Sequence, residues 1–123
     1  MTNKFQKLLL LSMPLFIVHA LEEYSTGLLG LDPLFNWVTA HNLPTVTLYW
    51  IEQIVLVALL VWAIYWPKRW LVIFIGLLFV FEITHIISAL RQMSYYPGLY
   101  SGMLLVIVGF FYWKESLKNY KLT

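Results

Sequence analysis

Long apolar runs, rather than alternating positions, organise this chain. The first apolar segment covers about residues 5–29, the second 46–66, the third 70–90 and the fourth 97–113. Each supplies the ~17–25 residues that cross a hydrocarbon layer as a helix. Lys4 and Lys7 before the run at 8–18 imitate a signal peptide, but no small-residue cleavage pattern follows. Glu22, Glu23 and more apolar sequence follow instead, so the segment reads as a retained helix. Pro67, Lys68 and Arg69 separate the second and third segments, and Tyr96, Pro97 and Gly98 open the fourth. The connection over 24–45 has an apolar middle. Asp32 before Pro33 is an N-cap and first-turn pair. It predicts a short interfacial helix over 33–40, lying flat on the bilayer or dipping in as a lid and ended by Asn42, Leu43 and Pro44. The pattern predicts an all-α fold: a bundle of four transmembrane helices forming a single transmembrane domain over residues 1–123. No repeat or low-complexity segment interrupts it, apart from a short lysine-bearing tail.

Composition supports lipid as the solvent. Of 123 residues, 61% are hydrophobic and 11% charged, whereas a soluble domain is about a quarter charged. Cysteine is absent, which excludes disulfides, thiol catalysis and cysteine-rich metal sites. No basic patch interleaves with aromatics, so nucleic acid is not an expected partner. The formal charge of +2 gains meaning only from its placement. With the N-terminus inside, Lys4, Lys7, Lys68, Arg69, Lys114, Lys118 and Lys121 all fall on the inner side, and Arg91 alone falls outside. This positive-inside bias predicts that both termini are cytoplasmic. Tyr49, Trp50, Tyr65, Trp66, Trp70, Tyr95, Tyr96, Tyr112 and Trp113 lie near segment ends, as a headgroup belt would.

The acids change the picture most. Of the six (Glu22, Glu23, Asp32, Glu52, Glu82 and Glu115), four fall inside predicted spans, together with His19 and His85. A charge at mid-bilayer costs at least ~2.5–3.5 kcal/mol on the insertion scale. No lysine or arginine lies inside the spans to neutralise the four, so they are protonated or gathered around cations. With alternating helix directions and 1.5 Å per residue, His19, Glu22, Glu23, Glu52, Glu82 and His85 share one layer about 8–12 Å below the outer surface. His19 and Glu22 are three apart, as are Glu82 and His85, so each pair shares a helix face.

Four glutamates and two histidines make the ligand inventory of a di-iron carboxylate bundle. The expected metal ligands are His19, Glu22, Glu23, Glu52, Glu82 and His85. They would hold two divalent ions, iron by preference, with zinc or manganese as alternatives. The match is incomplete: Glu22 and Glu23 are adjacent, and the fourth helix offers no carboxylate, so one of that pair is expected to bond to His19 or to a bound water. Tyr96 and Tyr100 read either as interfacial anchors or as phenols that donate to the carboxylates, Tyr100 being the catalytic candidate. His41 becomes a ligand only if the outer connection folds inward. Arg91 pairs with Glu23, binds a lipid phosphate or snorkels. Gly98 and Gly102 form a small-residue face for close helix packing, within the bundle or between two copies in a homodimer.

The string His19-Ala20-Leu21-Glu22-Glu23, with Glu52, the Glu82/His85 pair and the Tyr96-Pro97-Gly98 turn, resembles the HXXEE-domain family of small bacterial membrane proteins over nearly the whole chain. The resemblance implies a multi-pass protein of the bacterial cytoplasmic membrane and names no reaction. The residues themselves point to a metal-dependent membrane enzyme acting on a lipid or other apolar substrate. One version is a di-iron oxidoreductase. Another is a zinc-dependent intramembrane hydrolase with Glu23 as general base. A small ion, proton or substrate transporter and a non-catalytic accessory protein are the other classes.

Overall fold

The computed structural model describes residues 3–120. Among them, seven helical segments follow one another: α1 Asn3–Ser25, α2 Leu28–Leu31, α3 Pro33–Ala40, α4 Thr45–Tyr65, α5 Arg69–Phe81, α6 Ile83–Gln92 and α7 Leu99–Tyr120. α5 and α6 form a nearly continuous rod with a turn at Glu82. α7 packs on α1, α5 and α6, while α4 packs on α1 and α5.

The sequence pattern predicts four spans, and the structure corrects that number. Three helices among the described residues are long and apolar enough to cross a membrane: Lys4–Ser25, Thr45–Tyr65 and Arg69–Gln92. α7 is not one of them. Tyr100 and Ser101 lie in its first turn, and Lys114, Glu115, Ser116 and Lys118 near its end dilute its apolar centre. α7 runs back along α1, bringing Glu115 Oε1 within 3.7 Å of Lys4 Nζ. Lys121, counted above on the inner side, lies outside the described residues.

Local chemistry sets the breaks. The hydroxyls of Ser25 and Thr26 donate back to the carbonyls of Leu21 and Glu22. Gly27 then adopts φ 91°, a left-handed conformation that side chains resist. α1 therefore stops at Ser25, short of the predicted residue 29. α3 stands over 33–40 as its cap pair predicts: the Asp32 carboxylate accepts from the amides of Leu34 and Phe35, at 2.9 and 3.4 Å.

Burial divides the bundle lengthwise. One half is an apolar core in which Phe5, Leu9, Leu60, Leu71, Ile75 and Leu105 are completely buried. The other half buries His19, Glu23, Glu82, His85 and Ser101. Large apolar residues such as Ile54, Leu90 and Phe110 cover the outside. In water such a surface would drive association, and in hydrocarbon it is the expected one. Two of the aromatics expected at the headgroups turn inward. Tyr112 is fully buried and donates to the Val72 carbonyl at 2.8 Å, and Tyr49 enters the polar half.

Candidate metal centre

Two rods supply the cluster in the polar half. From α1, His19 and Glu23 stand four residues apart on one face. From the α5–α6 turn come Glu82 and His85. The amide of His85 donates to the Glu82 carbonyl at 3.2 Å. This is a tight i,i+3 turn, in which the two side chains nearly eclipse, so both point the same way. His19 Nε2 lies 2.8 Å from Glu82 Oε2 and 3.1 Å from Glu23 Oε1. His85 Nε2 lies 3.1 Å from Glu23 Oε1 and 3.6 Å from Glu82 Oε2. The imidazoles meet edge to face, with ring centroids 4.9 Å apart.

The outer nitrogens show which way the rings present themselves. His85 Nδ1 is 2.8 Å from the Pro97 carbonyl. A carbonyl only accepts, so Nδ1 carries a proton and Nε2 is the nitrogen turned to the cluster. His19 Nδ1 is 2.8 Å from Ser101 Oγ, and the Ser101 hydroxyl donates to Glu22 Oε2. With its one proton given to Glu22, Ser101 accepts from His19 Nδ1, and His19 Nε2 also faces inward. Outer acceptors of this kind fix the tautomer and aim of metal-ligating histidines. Glu82 Oε2 is buried, and its 2.8 Å contact with His19 Nε2 is an ion pair without the alignment of a well-formed hydrogen bond. A buried oxygen in that state is costly, and a cation beside it would satisfy it. The donor set thus fits a divalent ion.

His19, Glu82 and His85 form a buried group whose ligand atoms all lie within 4.8 Å of one another. This cluster, inside membrane-spanning helices, can hold one metal ion. The expectation of two divalent ions is corrected to one candidate site among the described residues, because two of the carboxylates a second ion would need are elsewhere. Glu22 faces away from the cluster. It accepts from the amides of Tyr100 and Ser101 at 3.2 and 2.9 Å and from the Tyr95 hydroxyl at 2.7 Å, so it caps the start of α7 as an anion at a helix N-terminus does. Glu52 stands on α4 and lines a cavity that reaches the cluster. With one site, the paired-iron reading loses its support.

Glu23 does face the cluster. Its second oxygen, Oε2, is held at 2.8 Å by the hydroxyl of Tyr49, which also lies 2.9 Å from the Ala20 carbonyl. Tyr49 and Ser101 are site residues that the sequence pattern does not reveal. Tyr49 lies near a helix end and reads as a belt residue, and a lone serine in an apolar helix carries no signal. Tyr100 contributes only its amide, since its ring is exposed and packs on Tyr95. His41 is exposed, with Nδ1 on the Trp37 carbonyl at 2.8 Å. Arg91 is exposed, and the ion-pair partners of Glu23 are the two histidines. Gly98 and Gly102 serve close packing inside the bundle. A Cβ on Gly98 would come within 2.8–3.0 Å of His19, Glu23 and His85, and one on Gly102 would touch Glu82, His19 and His85 at 3.6 Å.

A cavity of about 340 Å³ lies under α2 and α3 and reaches Glu23 and His85. Tyr96, outside the spans, lines it with its ring 5.9 Å from that of His85. Burial, together with the charges of Asp32 and Glu23, raises the pKa of the Tyr96 phenol, which keeps it a neutral donor.

Fold and site together define a helical membrane protein with a buried two-histidine, one-carboxylate cluster. The chain belongs to the family described as proteins of unknown function with an HXXEE motif, which matches residues 10–113. It is a multi-pass protein of the bacterial inner membrane. No curated protein and no solved structure matches it.

Proposed function

We propose that this protein is a metal-dependent membrane hydrolase that holds one divalent ion, zinc by preference, on His19, Glu82 and His85 and acts on a lipid or other apolar substrate. The observation that carries the reading is the aim of the two imidazoles: both Nδ1 atoms are bound to outer acceptors, so both Nε2 atoms turn toward Glu82 Oε2. Two histidines and one carboxylate make a hydrolytic zinc set that keeps a position open. When bound, the ion supplies Lewis acidity, bringing the pKa of a water to about 7 and polarising a carbonyl.

The other roles fall to the chain. Glu23 Oε1 borders the cluster and is placed to take a proton from water and return it to the leaving group. Tyr49 holds Glu23 Oε2, which turns Oε1 toward the two histidine Nε2 atoms and the cluster. Pro97 and Ser101 hold the ring orientations. The apolar residues of α2 and α3 roof the cavity and limit bulk water.

Elemental analysis of detergent-purified, metal-replete protein is expected to find about one divalent ion per chain. His19→Ala, Glu82→Ala and His85→Ala should each lose most of it while retaining helicity. No bound ion after reconstitution would defeat the reading and leave the cluster as a polar brace between helices. Glu23→Gln is expected to keep the ion and lose hydrolysis of ester and amide lipids. Loss of the ion from that variant would make Glu23 a ligand instead of the base.

A further inference from the structure

The cavity beside the cluster has an uneven character. Glu23, Asp32 and Glu52 line it, and no lysine or arginine does. A divalent ion on two neutral histidines would be matched by Glu82 and Glu23. Asp32 is already held as the cap of α3 by two amides, which would leave Glu52 without a counter-charge in a cavity lined largely by apolar groups, where like charges interact strongly. The space, about 340 Å³, is at the small end for ligand sites. It suits a head group better than a whole lipid.

A second, apolar cavity of about 250 Å³ runs between α1 and α4, bounded by Ile17, Leu21, Ile54 and Val57. Gln53 lines both cavities. A polar, acidic chamber that touches the cluster therefore adjoins, across Gln53, an apolar groove between two membrane-spanning helices. One molecule that fits both has a cationic head and a hydrocarbon tail.

We infer that the substrate is an amphiphile with an amine or ammonium head, seated against Glu52 with its tail in the groove between α1 and α4. This rests on the proposed metal site for the chemistry but not for the binding. An anionic head would meet three carboxylates. A neutral head would leave the Glu52 carboxylate without a counter-charge. Tyr96 and Phe35, on the walls of the chamber, add aromatic faces that favour a cation.

The test uses the full chain in nanodiscs of zwitterionic lipid, with three photoreactive twelve-carbon probes: a primary amine, an alcohol and a phosphate monoester. The amine should label the α4 peptide around residues 52–57 about ten-fold more than the other two, as an ionic contact in a low-dielectric site requires. Glu52→Gln should abolish that preference while metal content stays unchanged. Val57→Trp, which fills the groove without touching a charge, should lower labelling by the twelve-carbon amine and spare that by a four-carbon amine, and it reads the groove even if the Glu52 variant does not fold. Equal labelling by the three probes, or preference for the phosphate, overturns the inference. So does slower metal loading of Glu52→Gln with amine labelling intact, which would make the acidic wall a route for the ion. Metal content measured on the same samples separates the two readings: bound ion without amine preference defeats this inference alone, and amine preference without bound ion defeats the metal site alone.

Discussion

Ser101 Oγ stands 2.8 Å from His19 Nδ1, although 82 positions separate the two residues along the chain. The hydroxyl proton of Ser101 goes to Glu22. The two adjacent glutamates of the motif therefore divide their work: Glu23 faces the cluster, while Glu22 anchors α7 and, through Ser101, orients His19. Outer partners of this kind change metal affinity about 10–100-fold when removed. Ser101→Ala and Glu22→Gln are each expected to weaken metal binding by that factor, with Ser101→Thr restoring it. Competition against a chelator of known affinity measures this. Unchanged affinity in both variants would reduce Glu22 to a helix cap.

Tyr49→Phe deletes the hydroxyl that holds Glu23 Oε2. Leaving a buried carboxylate oxygen without that donor costs about 1–3 kcal/mol. The variant should melt at a lower temperature in detergent while keeping its metal. Turnover should fall as Glu23 loses its fixed orientation. An unaltered melting temperature would show that water replaces the hydroxyl.

Gly98→Ala tests the roof of the cluster. Gly98 has φ 84°, and a Cβ there meets His19 Cε1 at 2.8 Å. A left-handed backbone alone costs a residue other than glycine about 1–3 kcal/mol, and the contact adds to it. Lower stability and lower metal content should appear together, read by thermal melting and elemental analysis. Gly30→Ala is the control, because a Cβ added there would meet nothing within 4 Å, and it should change neither.

The pH dependence follows from the ligand types. An ion binds neutral imidazole and ionised carboxylate, so its binding expels protons. Falling pH returns those protons, so affinity should fall as pH falls and rise toward neutrality. Isothermal titration in buffers of different ionisation heat should reveal proton release on metal binding. A heat independent of buffer would contradict the ligand assignment.

Much of this protein is readable without coordinates. Low charge and long apolar runs require lipid. Asp32 before Pro33 places α3. The three-residue spacing of Glu82 and His85 puts both on one face, and His19 joins them because few imidazoles lie in the spans. The number of spans is less secure, because an apolar centre flanked by Tyr100, Ser101, Lys114 and Glu115 looks long until its polar ends are weighed. The two-ion expectation fails for a different reason: counting carboxylates assumes that all of them face one point. Glu22 lies about 60° from His19 around the helix and Glu23 about 40° the other way. Helical periodicity is nearly indifferent between them. The α7 amides occupy one side and the histidine ring of α6 the other, and those neighbours decide. Tyr49, the Pro97 carbonyl and Gly98 enter the site through chain packing at a distance, which leaves no local mark. Composition and spacing suffice for a membrane-embedded helical protein carrying costly histidines and carboxylates, since the burial cost belongs to the residues. Which of them meet was settled by folding alone, because a side chain's partner depends on the rotation and contact of helices far apart in the chain.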